Sequence, residues 1–191
     1  YERAAEKQVL GTVREYLGAC YDVCHQAVEF EDIPGSIRQI THAEIRINKI
    51  HISNAIELDR PGENEAGREL LAQYAEPRYL HQTIGSLQNG DLYRIVDLSR
   101  DFLLDPDPRL KETEKLRVHF HVPVDAQSLG PLGTTYRELR QALATVKELD
   151  YAPHLEVETY TWEVLPGDQK PTLVEGLTRE LQAAHTLLNT L

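Results

Sequence analysis

Apolar residues near the start of the chain recur at three- and four-residue steps. Ala5, Val9, Val13, Tyr16 and Leu17 fall on one face and Leu10 widens it, which predicts a helix over 2–17 that Gly18 ends. Residues 19–21 (ACY) then read as a short buried strand, with Asp22 and His25 just past its end. After Pro34-Gly35, Ser36 is placed to cap a short helix with Ile37 and Ile40 inward. Residues 45–52 (IRINKIHI) are rich in β-branched side chains and partly alternate, as a strand does. The pattern is less regular over 58–116. It predicts a helix over 63–74 and a hairpin turning at Asn89-Gly90 between 79–84 and 92–96, because both turn residues tolerate positive φ. The charged stretch 105–115, with its two prolines, reads as a loop, and the whole block reads as an insertion. Regularity returns with an extended 118–122 (VHFHV), a helix over 135–149, a strand over 155–160 and a closing helix over 172–190.

Helices alternating with strands imply parallel β/α units. At 191 residues the chain suffices for one domain with a core, yet a single-chain (β/α)8 barrel runs to about 250 residues. The chain also opens at Tyr1 and contains no methionine. The expectation is therefore the C-terminal part, 1–191, of a larger barrel domain, with about four further β/α units before Tyr1. Thirty-one acidic against 20 basic residues give a net charge of −11. That balance disfavours nucleic acid, whose binding requires Lys and Arg to displace counterions. No apolar run approaches the roughly 20 residues that span a bilayer. Two cysteines, Cys20 and Cys24, suit a reducing cytoplasm better than a disulfide scaffold.

Candidate chemistry gathers at the predicted strand ends. Asp22 and His25 lie three apart, a spacing that puts both on one face if the chain turns helical there. His51 closes the second strand, and His119 and His121, two apart in an extended segment, point to the same side. Imidazoles on one buried face each need a partner. Glu156 and Glu158 likewise share a face, where two carboxylates repel unless a cation or protons lie between them. In a barrel the C-terminal strand ends converge on one pocket, which would unite these groups. Tyr79 and His81, in the block before the hairpin, are candidates for substrate contact.

Several strings resemble a known superfamily. ACYDVCHQAVEFED is similar to the D-T-C-H segment of endonuclease IV-like barrels, HISN at 51–54 to their His-Leu-Asn-Asp strand end, and LEVET to their last strand. The closer resemblance, over nearly the whole chain, is to the EboE family of bacterial "metabolite traffic" proteins, through YDVCHQAVEFED, EPRYLHQ, VHFHVPV, LGPLGTT and HLEVETYTWEVLP. The resemblance implies a (β/α)8 TIM barrel of xylose isomerase type. It also implies a divalent metal, zinc or manganese, held by Asp22, His25, His51, His119, His121 and Glu158, with Glu158 as ligand or base. His119 stands where the superfamily's ligand pair has a carboxylate. The implied activity is isomerisation or epimerisation of a small sugar or related metabolite in secondary-metabolite production or export. A non-enzymatic metabolite carrier is the alternative, and an abasic-site nuclease is disfavoured by the charge. The implied partner is a small-molecule metabolite in the cytoplasm, without membrane insertion, and self-association is left open.

Overall fold

The computed structural model describes residues 9–105, 107–167 and 171–191. Helix α1 (Leu10–Tyr16) occupies part of the first predicted helix, of which 2–8 lie outside the described residues. Strand β1 (Ala19–Asp22) runs into α2 (Val23–Val28), whose first turn is capped by Asp22: its Oδ1 accepts from the His25 N–H at 3.1 Å. Two residues beyond α2, Phe30 is held at φ 58°, a left-handed conformation that bulky side chains rarely adopt. Helix α3 (Ile33–His42) starts earlier than Ser36. Asp32 caps it by accepting from the Gly35 N–H, and Pro34 takes a first-turn position, where its missing N–H costs nothing. The Ser36 hydroxyl instead donates to the Ile33 carbonyl at 3.1 Å.

Strand β2 (Ile47–Ile52) is followed, after Ser53 alone, by β3 (Asn54–Asp59). Then come α4 (Glu65–Leu71), β4 (Thr83–Leu87), β5 (Leu92–Ile95), α5 (Arg100–Leu104) and a 3-10 turn at Pro108–Lys111. Strand β6 (Thr113–Val122) has 10 residues, so VHFHV is only its second half. After β7 (Ser128–Leu129) and β8 (Leu132–Thr134), helix α6 (Tyr136–Val146) leads to β9 (His154–Val157) and α7 (Leu173–Thr190). A reciprocal capping box starts α7: the Thr172 hydroxyl accepts from the Glu175 N–H while the Glu175 carboxylate accepts from the Thr172 N–H.

These strands do not form the expected (β/α)8 barrel of xylose isomerase type, nor a run of its parallel units. Three strands are parallel, in the order β1-β2-β9, and six form a separate antiparallel sheet in the order β5-β4-β6-β3-β8-β7. The reason lies in the connections. A parallel pair needs a crossover of about a dozen residues, whereas β4 and β5 are joined by the tight turn at Asn89-Gly90, with Gly90 at φ +87°. The stretch 58–116 supplies β4, β5 and the first part of β6 to that sheet. Gly85 faces Tyr93 across the hairpin, where a Cβ would lie 2.3 Å from the ring.

One core, including Ile33, Ile37, Ile50, Leu139 and Leu143, packs α2, α3, α6 and α7 against the parallel sheet. A second, including Leu58, Leu71, Leu103, Leu116 and Phe120, lies under the antiparallel sheet. Cys24, Val28, Ala55 and Ile84 form a small cluster of their own.

Two buried charges tie these parts together. Arg117 on β6 donates to Glu57 Oε2 at 2.7 Å, to Glu138 Oε1 at 2.6 Å and to the Ala27 carbonyl at 2.7 Å, with its guanidinium over the Phe30 ring. Glu180 on α7, fully buried, accepts from the Val124 N–H, the Thr159 hydroxyl and the Trp162 indole N–H. Among the described residues no helix is long and apolar enough to cross a membrane.

Removing the Arg117 guanidinium strands two largely buried carboxylates and a carbonyl. Arg117→Ala is expected to cost about 3–5 kcal/mol, the usual penalty for breaking a buried ion pair from one side. Urea unfolding checks this, and a midpoint within error of wild type would contradict it.

Candidate metal centre

Register in the parallel sheet sets the first group of ligands. Asp22 pairs with His51, and His51 with Glu156, across β1, β2 and β9. The Glu156 carboxylate turns to the Lys49 ammonium. Two residues on, the Glu158 N–H donates to the Ile52 carbonyl at 3.1 Å, and its side chain reaches the end of β2. His51 Nδ1 therefore sits 3.0 Å from Asp22 Oδ2 and 2.8 Å from Glu158 Oε2. One ring nitrogen carries at most one proton, and the hydrogen bond goes to Asp22. Glu158 Oε2 is buried and, among the described residues, has no hydrogen-bond partner. Leaving such an oxygen unmatched is costly. A cation bound by all three atoms resolves the conflict. Neighbouring ligands at right angles, with bonds of about 2.1 Å, stand about 3 Å apart, as His51 Nδ1 does from each carboxylate oxygen.

The second group comes from the antiparallel sheet and α2. His119 and His121 share a face of β6, with their Nε2 atoms 3.2 Å apart. His121 Nδ1 is 2.5 Å from the Glu158 carbonyl, which can only accept. That bond fixes the proton on Nδ1 and leaves Nε2 with its lone pair, the tautomer of a metal-ligating histidine. Cys24, on the buried side of α2, completes a set whose ligand atoms all lie within 4.8 Å of one another; Asp22, His51 and Glu158 form another. His25 lies between the two, with Nε2 3.9 Å from Asp22 Oδ2 and its ring centroid 4.4 Å from that of His119.

The field here is strongly uneven. Burial would raise the Asp22 carboxyl, but His25, the His25 backbone N–H and His51 outweigh it and hold Asp22 below its ordinary value. Burial and the neighbouring His121 and His25 push His119 down to about 4. His121 is lowered too, by burial first, against the opposing pull of the Glu158 carbonyl. Burial raises the Cys24 thiol well above its usual range. Tyr160, whose ring packs on His121 at 4.6 Å, is pushed up to about 12, mainly by burial. The His119 and His121 imidazoles are thus held in the neutral form that ligates a cation.

A cavity of about 340 Å³ adjoins the histidines, lined by His25 and His119 together with Gln26, Gln82, Thr83 and Arg94 among others. Tyr79 and His81 do not line it. The Tyr79 ring packs on Tyr160 at 5.1 Å and so meets the centre through that second ring. His81 is buried, stacked on Phe120, with Nε2 3.7 Å from Glu76 Oε1. Cys24, Tyr160 and the polar cavity residues escaped the sequence reading. Cys24 carried the one available signal, its place inside D-V-C-H.

Between pH 6.5 and about 4, the unfolded chain takes up a proton that folded His119 refuses. This contribution to stability is intact above pH 6.5 and falls as the pH drops through that window. In the metal-free protein, urea midpoints measured from pH 7 down to 4.5 are expected to fall less steeply in His119→Gln than in wild type. Parallel curves would refute the assignment. Comparisons of the chain with protein-family models, with curated proteins and with solved structures return no match.

Proposed function

We propose that this chain is a divalent-metal-dependent isomerase or epimerase acting on a small sugar or related metabolite. The observation that carries the reading is the convergence of Asp22 Oδ2, His51 Nδ1 and Glu158 Oε2, with the Glu158 oxygen buried and unmatched. One imidazole and two carboxylates suit manganese or zinc. Such an ion, held by Asp22, His51 and Glu158, would supply Lewis-acid stabilisation of negative charge on vicinal substrate oxygens. Gln26, Gln82 and Thr83 offer hydrogen-bonding groups to substrate hydroxyls in the cavity lined by His25 and His119. His25, half-exposed at the edge of the centre, is placed to take or return a proton there.

The sequence resemblance to the EboE family supports a role in the production or export of a bacterial secondary metabolite. Free thiols at Cys20 and Cys24 suit a cytoplasmic setting. A net charge of −11 argues against a nucleic-acid substrate.

The test is metal titration of the stripped protein, followed by turnover on a panel of aldoses, ketoses and polyols. Asp22→Asn and Glu158→Gln are expected to weaken manganese binding by more than the roughly 10–100-fold that loss of an outer-shell partner costs. Both are expected to abolish isomerisation. Affinities unchanged in both variants would remove the site, and sugar binding without turnover across the panel would make the protein a carrier.

A further inference from the structure

We propose that the metabolite taken by the 340 Å³ cavity is uncharged and carries an apolar alkyl or aryl substituent beside its hydroxyl groups. The proposal rests on the reading of that cavity as the substrate site, and it narrows the class of ligand.

The wall of the cavity is only partly polar. Beside the histidines and glutamines stand four aliphatic side chains brought together from three elements: Val28 at the end of α2, Ile84 on β4, and Ile95 and Val96 at the end of β5. Val28 and Ile84 are nearly buried and belong to the small cluster with Cys24 and Ala55, which meets the cavity instead of being sealed by protein. Ile95 is half-buried, and Val96, 77% exposed, continues the apolar surface outwards. A free sugar carries hydroxyls around its whole ring, and those pressed on aliphatic groups would lose water without gaining a partner. An alkyl or aryl substituent removes that cost and takes apolar surface out of water on both sides of the contact. At about 340 Å³ the cavity lies near the small end of ligand sites, roughly 300–1,000 Å³, so the substituent is short.

Charge sets the other limit. Histidines aside, the lining holds one anion and one cation, and these pair with each other, Arg94 to Glu29 Oε2 at 2.6 Å. A phosphate or carboxylate entering the cavity meets no uncompensated Lys or Arg. Freeing Arg94 for it would leave Glu29 facing the incoming anion, and the net charge of −11 repels such a ligand from a distance.

A homologous series from propane-1,2-diol to octane-1,2-diol tests this on the metal-free protein, since its members share one pair of vicinal hydroxyls and differ in chain length alone. Affinity read from methyl NMR shifts is expected to rise about three- to fourfold per added methylene until the wall is covered. The shifts should concentrate at Val28, Ile84, Ile95 and Val96. Val96 is exposed enough that Val96→Asp leaves folding intact, and this variant is expected to flatten the series. Glycerol 1-phosphate should bind no tighter than glycerol. Affinity independent of chain length, shifts lying elsewhere, a series unaltered by Val96→Asp, or a tighter-binding phosphate would each overturn the proposal. Turnover of unsubstituted sugars with a flat series removes this proposal and leaves the isomerase. A steep series without turnover of any sugar removes the isomerase and upholds the cavity's preference for an apolar substituent.

Discussion

Arg117 is the contact on which the arrangement of the site depends. It stands in the middle of β6, yet its guanidinium holds the Ala27 carbonyl of α2, Glu57 of β3 and Glu138 of α6 at once. A buried cation is tolerated only when its donors are matched, and a planar guanidinium with a fixed fork of N–H groups can match several acceptors where an ammonium cannot. Phe30, in its left-handed turn, closes over the guanidinium. The consequence is positional. Seating α2 on β6 brings Cys24 and His25 against His119 and His121, and holds the end of β1, with Asp22, at the junction of the two sheets.

That junction is built by one residue. Ser53 alone separates β2 of the parallel sheet from β3 of the antiparallel one, so the chain changes sheets without a loop. Asn54 then donates to the Pro123 and Val124 carbonyls, fixing the far end of β6 beside the end of β2. Glu180 performs the corresponding task for α7 by gathering the Val124 N–H, the Thr159 hydroxyl and the Trp162 indole. Each of these links ends within a few residues of a candidate ligand. A cluster of three carboxylate- or imidazole-bearing strand ends is thereby held by hydrogen bonds outside itself, the preorganisation that tight metal geometry requires.

The two donor groups differ in a way that bears on function. Asp22, His51 and Glu158 are rich in oxygen, whereas Cys24, His119 and His121 supply sulfur and nitrogen from a more buried place. Burial depresses His119 and His121 and raises Cys24, so the second group is neutral before a cation arrives. In the first group Asp22 is held ionised by its neighbours, which favours a cation directly by charge.

Local pattern determined much of the element list. The helices at 136–146 and 173–190, the strand ending at Ile52 and the Asn89-Gly90 hairpin follow from periodicity and turn chemistry, which act within a few residues and are visible in any window of sequence. The pairing of His119 with His121 is equally local, because alternate residues of a strand share a face. Strand direction and partnership are not local. The sequence order suggested parallel units on either side of the 58–116 block, but hydrophobic pattern says which face is buried and nothing about which strand lies alongside. Only the tertiary structure put β4, β5, β6 and β3 into an antiparallel sheet. Alternation put Glu156 and Glu158 on one face and only the resemblance named Glu158; in space the physical reason is Lys49 taking the Glu156 carboxylate across the sheet. Cys24 needed the tertiary structure as well. Its place beside two imidazoles comes from α2 packing on a strand nearly a hundred residues away, through contacts that no short stretch of chain contains.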